Sequence, residues 1–529
     1  MDRPRWIVAG FAALACLLYC GKAYHIDEPA YLAIAGQILR DPFHPLSFDY
    51  NWFGFSTPMW VVNAFPTLFP YLLAPALALT GGAEWLMRLA FLPFDLLAAL
   101  SLYALAARLL RRPLVPTLII LAGPAYLINM GHLMPDKLVA AFGLAGLACF
   151  LKALDEDRPA FFPWAGVLLA GALLCKFTAV FALLAVLGAG WGRRPARWLA
   201  WFCVLTAAPL LAALAAAYLR GGAWGGVAGS AWRGVSVGLA MSGGGFFDRL
   251  RALLAFTGGC GFVTMAWPLL DRSWRRRGLV LLAAAAAVAV LFLPSLDRSA
   301  VVPHERLLGA VFSFGALASL SIFVPLPARG HRHGRLLAAW AAAVLVLQLF
   351  FYWSIVTRYV AFLIIPIVLA QAAALEARLE TRALRRTYAV GLGLTLVLSL
   401  ALARVDYRYA AAQKEIAALV AEQARGRRLW FTGHWGFQYY MEKAGAAPLD
   451  ALAGGWGVLR PGDIAVVPTV NTLVLPPPGP APGLVLPCPE PVPLRLMGRG
   501  GAGFYSSNFG FLPYSVDGSP LDSFRILVR

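Results

Sequence analysis

Two neighbouring carboxylates, Asp27 and Glu28, follow the first apolar segment of the chain, and His25 stands two residues before them. A carboxylate can accept a proton from a substrate hydroxyl, and together with a histidine it can bind a metal ion. A helix that begins at Pro29 would use one of them as a cap, worth up to about 1 kcal/mol. Capping explains two adjacent carboxylates poorly, so the sequence predicts a catalytic or metal-binding role.

A third carboxylate, Asp136, directly precedes another apolar segment and follows His132 by four residues. Taken alone, it is typical of a helix cap. The topology predicted below, however, places Asp136 on the same side of the membrane as Asp27, so the two carboxylates could belong to one site. His25 and His132 have no fixed spacing, so a metal site made from them remains one alternative.

Two cationic positions complete the candidate set. Lys176 interrupts the apolar stretch 161–191, where a lysine costs about 2.5–3.5 kcal/mol and needs a partner or an anionic ligand. Arg358 and Tyr359 open a further apolar segment. Snorkelling of the lysine and interfacial anchoring by the arginine and tyrosine are the alternatives to phosphate binding.

The composition places these residues in a membrane protein. Of 529 residues, 60% are hydrophobic and 13% are charged, against about 25% charged in an ordinary globular domain. This excludes a soluble core and a disordered chain. The net charge of +19 comes from short clusters between apolar runs, such as Arg275, Arg276 and Arg277. Such clusters are typical of cytoplasmic loops rather than of nucleic-acid binding.

The apolar runs predict an all-α polytopic protein of about thirteen transmembrane helices. The stretch 58–80 contains Pro66, Pro70 and Pro75, and we assign it to broken interfacial helices. The stretch 161–191 is predicted to form two short helices, 161–174 and 178–191, with Lys176 at the tip of the hairpin. The clear single spans are 6–20, 89–107, 113–130, 137–152, 197–219, 251–270, 278–294, 307–326, 336–353, 359–375 and 387–403.

An odd number of spans places the N-terminus inside and the C-terminus outside, and the basic clusters agree with this orientation. Residues 1–403 then form the transmembrane domain, with interfacial helices at about 27–80. Residues 404–529 form a small α/β domain on the outer face, with a helix at 406–424 and a Pro-rich extended loop at 476–493. A bacterial inner membrane with a periplasmic domain is favoured, and the endoplasmic reticulum is the topological equivalent.

Several motifs, in order and on one predicted side of the membrane, resemble the GT-C superfamily of integral-membrane glycosyltransferases. The resemblance covers about residues 20–200 and is strongest to the branch of protein O-mannosyltransferases and the lipid A aminoarabinose transferase. Where the latter has a basic residue before a proline, this chain has Thr57 before Pro58. The motifs that carry the resemblance are Asp27-Glu28-Pro29-Ala30-Tyr31, Ser56-Thr57-Pro58, Glu84-Trp85, Met134-Pro135-Asp136, Lys176-Phe177-Thr178 and Arg358-Tyr359.

The resemblance implies transfer of a sugar from a polyprenyl-phosphate carrier to a glycan, lipid or protein acceptor, with inversion. Asp27 would be the general base, Glu28 and Asp136 would position the acceptor or bind a divalent metal ion, and Lys176, Arg358 and Tyr359 would bind the donor phosphate. No nucleic acid is expected as a partner. The alternatives are an oligosaccharide polymerase or ligase with a polyprenyl-diphosphate donor, a lipid flippase or transporter, and an inactive scaffold.

Overall fold

The chain is mainly α-helical in the computed structural model, and a small sheet lies near its C-terminus. The predicted spans 251–270, 278–294 and 307–326 continue into residues outside the described ones, and Arg275, Arg276 and Arg277 lie there too. The structure describes residues 2–63, 66–190, 196–221, 245–261, 263–264, 267, 278–292, 303–323, 333–424, 426–479, 483–498 and 500–529.

The described α-helices are numbered here in chain order, and short 3₁₀ or π turns extend or connect some of them. The helices are α1 (Arg3–Cys20), α2 (Glu28–Arg40), α3 (Met59–Val62), α4 (Leu68–Thr80), α5 (Glu84–Ala90), α6 (Leu92–Leu109), α7 (Leu114–Ala122), α8 (Pro124–Met130), α9 (Pro135–Asp155), α10 (Phe161–Cys175), α11 (Val180–Gly190), α12 (Ala196–Gly221), α13 (Phe246–Cys260), α14 (Gly278–Leu291), α15 (Pro303–Leu320), α16 (Gly334–Val346), α17 (Thr357–Glu376), α18 (Thr381–Ala424) and α19 (Trp435–Lys443). The turns are Phe177–Ala179, Ser321–Phe323, Leu347–Phe351 and Gly455–Val458.

Seven of the described helices are long and apolar enough to cross a membrane on their own, and others are shorter but apolar. The prediction of a polytopic helical membrane protein with a small C-terminal α/β part is therefore confirmed. The number of about thirteen spans stays a prediction.

Helices α9 and α17 lie in the middle of the bundle. Within their most apolar windows, 72% and 83% of the residues are buried, the highest shares among the seven long helices. Helix α9 packs against α6 and α10, and Lys137 at its start donates to both oxygens of Asp95 on α6 at 2.6 and 2.8 Å. A buried pair of this kind satisfies charges that would otherwise be costly in an apolar region.

Three apolar stretches are broken rather than straight. The predicted span 113–130 is wrong as a single helix, because Gly123 adopts an extended conformation before Pro124 and separates α7 from α8. The stretch 58–80 contains α3 and α4, as expected from its prolines. The predicted break at Lys176 is confirmed, because α10 ends at Cys175 and a short turn begins at Phe177.

The helices on either side of Lys176, α10 and α11, make few contacts with each other. Helix α10 packs on α9 and α12, whereas α11 packs on α16.

One continuous helix, α18, links the membrane part to the C-terminal domain. It has 44 residues, which corresponds to about 66 Å. The sequence prediction of two separate helices, 387–403 and 406–424, is wrong, and the proposed domain boundary at 403/404 falls inside α18. A helix that leaves the bilayer can continue without apolar residues, so the change in composition there did not mark its end.

The C-terminal domain contains five strands, β3 (Leu429–Phe431), β4 (Ala447–Pro448), β5 (Ile464–Pro468), β6 (Leu484–Cys488) and β7 (Asp522–Val528). They form a mixed sheet of order β4-β3-β5-β7-β6. Strand β3 is parallel to β4 and β5, whereas β7 is antiparallel to β5 and β6. The Pro-rich segment 476–493 is not an extended loop throughout, because β6 lies within it; Pro487 is tolerated since β6 is an edge strand. A separate antiparallel hairpin consists of β1 (Asp49–Asn51) and β2 (Ser56–Pro58).

The C-terminal domain packs closely on the first long loop of the membrane part. The backbone N–H of Tyr24 donates to the hydroxyl of Tyr440 at 2.7 Å, and Asn51 Nδ2 donates to the Leu449 carbonyl at 3.2 Å. Gly436 lies so near the loop that a Cβ atom there would stand 2.0 Å from the Tyr24 carbonyl oxygen. A glycine is therefore required for this close approach.

We expect Gly436→Ala to destabilise this contact by about 1–3 kcal/mol, because the added methyl group forces the two backbones apart. Thermal unfolding in detergent, followed by tryptophan fluorescence, measures the effect. Gly457→Ala is the matched control, since a Cβ atom at this position meets no atom within 4 Å. Equal melting temperatures for both variants would contradict the close packing described here.

Candidate active site

Four charged side chains from distant parts of the chain form an alternating row, called the charge row below. Asp27 lies at the N-cap of α2, Asp136 in the first turn of α9 and Arg358 in the first turn of α17, while Lys176 follows the last residue of α10. A helix N-terminus favours the two carboxylates. It disfavours a cation, so Arg358 depends on the carboxylates beside it.

The distances in the charge row connect all four groups. Arg358 Nη1 donates to Asp27 Oδ2 at 3.2 Å, and Arg358 Nε lies 3.9 Å from Asp136 Oδ2. Lys176 Nζ donates to the same Asp136 oxygen at 2.8 Å. The sequence thus identified a set of residues that the structure brings together.

Tyr359 lies beside both cations. Its ring centroid is 4.7 Å from Lys176 Nζ and 5.5 Å from Arg358 Cζ. A ring at this range attracts cations through its electron-rich face. Tyr359 therefore contributes a favourable contact to each of the two cations.

Exposure differs along the charge row. The side chain of Asp27 is 26% exposed and that of Arg358 is 9% exposed, while Asp136 and Lys176 are each 1% exposed. Asp136 Oδ1 is buried and has no hydrogen-bond partner among the described residues. Asp27 is therefore the carboxylate that a molecule from solvent can reach, and Asp136 retains one free acceptor atom.

Glu28 is turned away from the charge row and is completely buried. It accepts hydrogen bonds from Arg88 Nη2 at 3.1 and 3.3 Å, and from the backbone N–H groups of His25 and Leu133 at 2.6 Å each. These contacts occupy both carboxylate oxygens. They fix the loops that carry Asp27 and Asp136 relative to each other.

His25 and His132 belong to a second, fully buried cluster. Their ring centroids are 6.1 Å apart. His132 Nε2 lies 3.0 Å from Lys22 Nζ and 3.0 Å from the Tyr505 hydroxyl, and Lys22 and Tyr505 both donate to Asp406. Sequence reasoning missed Lys22, Asp406 and Tyr505 as a group; the only signal was a lysine directly after the first span.

The two histidines do not fit a metal site. Burial, and next the Lys22 ammonium group, hold the pKa of both rings well below the ordinary histidine value. Both rings are thus neutral at pH 7, but the ammonium group beside His132 Nε2 would repel a metal cation. In the described ranges, no three His, Cys, Asp or Glu side chains form a group that could hold a metal ion.

The arrangement can perform acid–base chemistry beside an anion. Lys176 and Arg358 supply donors for phosphate oxygens, and Asp27 supplies a reachable carboxylate that can accept a proton. Both functions lie within one row at the ends of membrane helices. The chemistry therefore suits a reaction in which a phosphate-containing group leaves while a hydroxyl attacks.

Residues 65–220 match the family described as dolichyl-phosphate-mannose-protein mannosyltransferase. The resemblance inferred from the motifs is confirmed over this part of the chain, which includes Asp136 and Lys176. A search of curated proteins found no significant match.

Three solved structures also resemble this chain. The oligosaccharyltransferase of Archaeoglobus fulgidus has a TM-score of 0.46 and 14% identity, over 83% of this chain and 64% of that one. ArnT from Cupriavidus metallidurans bound to undecaprenyl phosphate has a TM-score of 0.41 and 15% identity, over 88% of this chain and 93% of that one. Arabinosyltransferase EmbB from Mycobacterium smegmatis has a TM-score of 0.34 and 16% identity, over 94% of this chain and 48% of that one. This chain thus spans less than two thirds of the length of that oligosaccharyltransferase.

Glu28→Gln is expected to lower the free energy of unfolding by about 3–5 kcal/mol, because it leaves the buried Arg88 without its counter-charge. Differential scanning fluorimetry in detergent measures the change. The matched control is Glu415→Gln, since the Arg408–Glu415 pair is exposed and exposed pairs contribute little. A Glu28→Gln protein as stable as this control would contradict a bracing role for Glu28.

Proposed function

We propose that the protein is a glycosyltransferase that moves a sugar from a polyprenyl-phosphate carrier to an acceptor hydroxyl on the outer face of the membrane. The observation that supports this most strongly is the charge row of Asp27, Arg358, Asp136 and Lys176. The match of residues 65–220 to a family of dolichyl-phosphate-mannose-dependent transferases supports the same class of donor.

The two cations would bind the donor phosphate. In the free protein, Lys176 and Arg358 are paired with carboxylates at 2.8 and 3.2 Å. A phosphate that enters the row would share these cations, and charge-assisted hydrogen bonds would stabilise the negative charge that grows on the leaving group. Because Arg358 contacts Asp27, a phosphate that draws the guanidinium group away frees that carboxylate for catalysis.

Asp27 is proposed as the general base. The acceptor oxygen forms a bond to the anomeric carbon while the bond from that carbon to the phosphate oxygen breaks, and the acceptor proton moves to Asp27. The carrier leaves as polyprenyl phosphate. Attack opposite the leaving group inverts the anomeric centre. Asp27 suits this role since it is the most exposed carboxylate of the row.

Asp136 and Glu28 would act as positioning residues. One oxygen of Asp136 accepts a hydrogen bond from Lys176 and lies 3.9 Å from Arg358 Nε, and its second oxygen remains available for a hydroxyl of the donor sugar or of the acceptor. Glu28 holds the loops around Asp27 through Arg88. The acid–base and phosphate-binding roles proposed here are assigned to these side chains alone.

We further propose an orientation with the N-terminus in the cytoplasm and the C-terminal domain on the outer face of a bacterial inner membrane. The C-terminal domain contacts the loop that begins with Tyr24, so the charge row and this domain lie at the same end of the membrane helices. The carrier headgroup would enter from the surrounding lipid.

Asp27→Asn is expected to reduce turnover by about 10²–10⁴-fold, because the attacking hydroxyl loses its base. Mass spectrometry of the carrier-lipid pool tests this in cells that lack the gene and carry a plasmid copy. The carrier-linked monosaccharide should disappear with the wild-type copy and accumulate with Asp27→Asn. The control is Asp41→Asn, which should behave as wild type. Asp41 is an exposed carboxylate at the C-terminal end of α2 and is paired with His44. An unchanged lipid pool in every strain would refute the proposed reaction.

Lys176→Met is expected to weaken binding of undecaprenyl phosphate by about tenfold or more, since a hydrogen bond from a charged group is lost. Binding to the purified protein in detergent is measured by tryptophan fluorescence. Lys152→Met, at the opposite end of α9, should bind as wild type does. Wild-type protein that prefers undecaprenyl diphosphate would instead favour a polymerase or ligase.

A further inference from the structure

The helix that carries Arg358 is capped by the C-terminal domain. Helix α17 begins at Thr357, and its N-cap Val356 makes no side-chain capping hydrogen bond. The first N–H groups of a helix have no partner within it. Here the N–H of Thr357 donates to the Phe504 carbonyl at 3.1 Å, and the Thr357 hydroxyl donates to the same oxygen at 2.8 Å. A residue far along the chain thus fixes the start of α17.

A second pair of bonds holds the residues just before the helix. The N–H of Ile355 donates to Ser507 Oγ at 3.0 Å, and the N–H of Ser507 donates to the Ile355 carbonyl at 2.8 Å. Residues 504–507, called the brace segment below, therefore contact the backbone on both sides of Val356. Little freedom remains for the backbone that leads into Arg358.

The brace segment also contacts the loop that leads to Asp136. The hydroxyl of Tyr505 lies 3.0 Å from His132 Nε2 and donates to Asp406 on α18. His132 precedes Asp136 by four residues. One short segment of the C-terminal domain therefore contacts two of the loops from which the charge row is built, the one before Asp136 and the one before Arg358.

This matters for Arg358 because its guanidinium group is shared. It lies 3.2 Å from Asp27 and 3.9 Å from Asp136, and a planar guanidinium group binds carboxylate or phosphate only in the right orientation. Binding groups must be held within about 0.5 Å of their productive position. Nothing in the sequence of α17 itself supplies that restraint at its first turn.

We propose that the brace segment is a positioning element of the active site, in which Ser507 and Phe504 set the position of Arg358 and Tyr505 sets that of the Asp136 loop. This inference rests on the proposed function, in which Arg358 binds the donor phosphate. The C-terminal domain is then required for donor binding although it contributes no group to the charge row.

The test compares Ser507→Ala with Ser507→Thr, which keeps the hydroxyl, and with Ser519→Ala, whose hydroxyl bonds only to Asp517 nearby. Undecaprenyl phosphate is the binding probe. Ser507→Ala should raise its dissociation constant about threefold to tenfold, as expected for one lost hydrogen bond. Ser507→Thr and Ser519→Ala should bind as wild type does. Thr357→Val should weaken binding at least as much, because it removes both the hydroxyl's bond to the Phe504 carbonyl and the bond that the hydroxyl accepts from Asn129 Nδ2.

Two further measurements separate positioning from a general loss of folding. Amide hydrogen exchange should become faster at Ile355 and Thr357 in Ser507→Ala, with the interior amides of α17 unchanged. In an Arg358→Ala background, Ser507→Ala should cause no further loss of binding. The proposed role of the brace segment would be refuted if Ser507→Ala weakens binding as much in the Arg358→Ala background as it does alone, or if it leaves hydrogen exchange at the Ile355 and Thr357 amides unchanged.

The outcomes also distinguish this inference from the proposed function. The role of the brace segment alone would be refuted if the wild-type protein and Ser507→Ala bind undecaprenyl phosphate equally well while Arg358→Ala does not bind it. Wild-type protein that fails to bind undecaprenyl phosphate would refute the proposed donor. Hydrogen exchange at Ile355 and Thr357 would still decide whether the brace segment holds this loop.

Discussion

Pairing of charges where little water is present is the constraint on which this structure depends. A buried ion without a counter-ion costs several kcal/mol, and the charged groups at this end of the bundle are arranged to avoid that cost. In the charge row, carboxylates and cations alternate, and Arg358 stands between Asp27 and Asp136. A substrate that binds to such a row must replace some of its carboxylate–cation pairs with new ones. A phosphate can do so, because it is an anion that pairs with the same cations.

Neighbouring residues serve different purposes under this constraint. Asp27 is partly exposed, whereas Glu28 is fully buried and accepts hydrogen bonds from Arg88 and two backbone amides. Likewise, Asp136 belongs to the charge row, but His132 belongs to the cluster of Lys22, Asp406 and Tyr505. The loops that carry the proposed reactive groups are therefore held in place by a second set of buried charged contacts, which includes the Glu28–Arg88 pair and the cluster around Asp406.

The members of the charge row were predictable because each one is unusual for its place in the sequence. A lysine inside an apolar stretch and carboxylates beside apolar segments are costly, and alternate crossing of the membrane directs their loops to one side. The pair of Lys22 and Asp406 was not predictable, since 384 residues separate the two and no local pattern marks either. The continuity of α18 and the edge strand that contains Pro487 were missed for a related reason: composition reports the environment of a segment and not its hydrogen bonds.

A cryo-electron microscopy structure of the full chain in lipid nanodiscs with undecaprenyl phosphate would show whether the cations of the charge row bind the phosphate of the carrier lipid. We expect the phosphate within hydrogen-bond distance of Lys176 Nζ and of the Arg358 guanidinium group, with the Asp27 carboxylate released from Arg358 and free to accept a proton. A phosphate bound away from both cations, with the charge row unchanged, would contradict it.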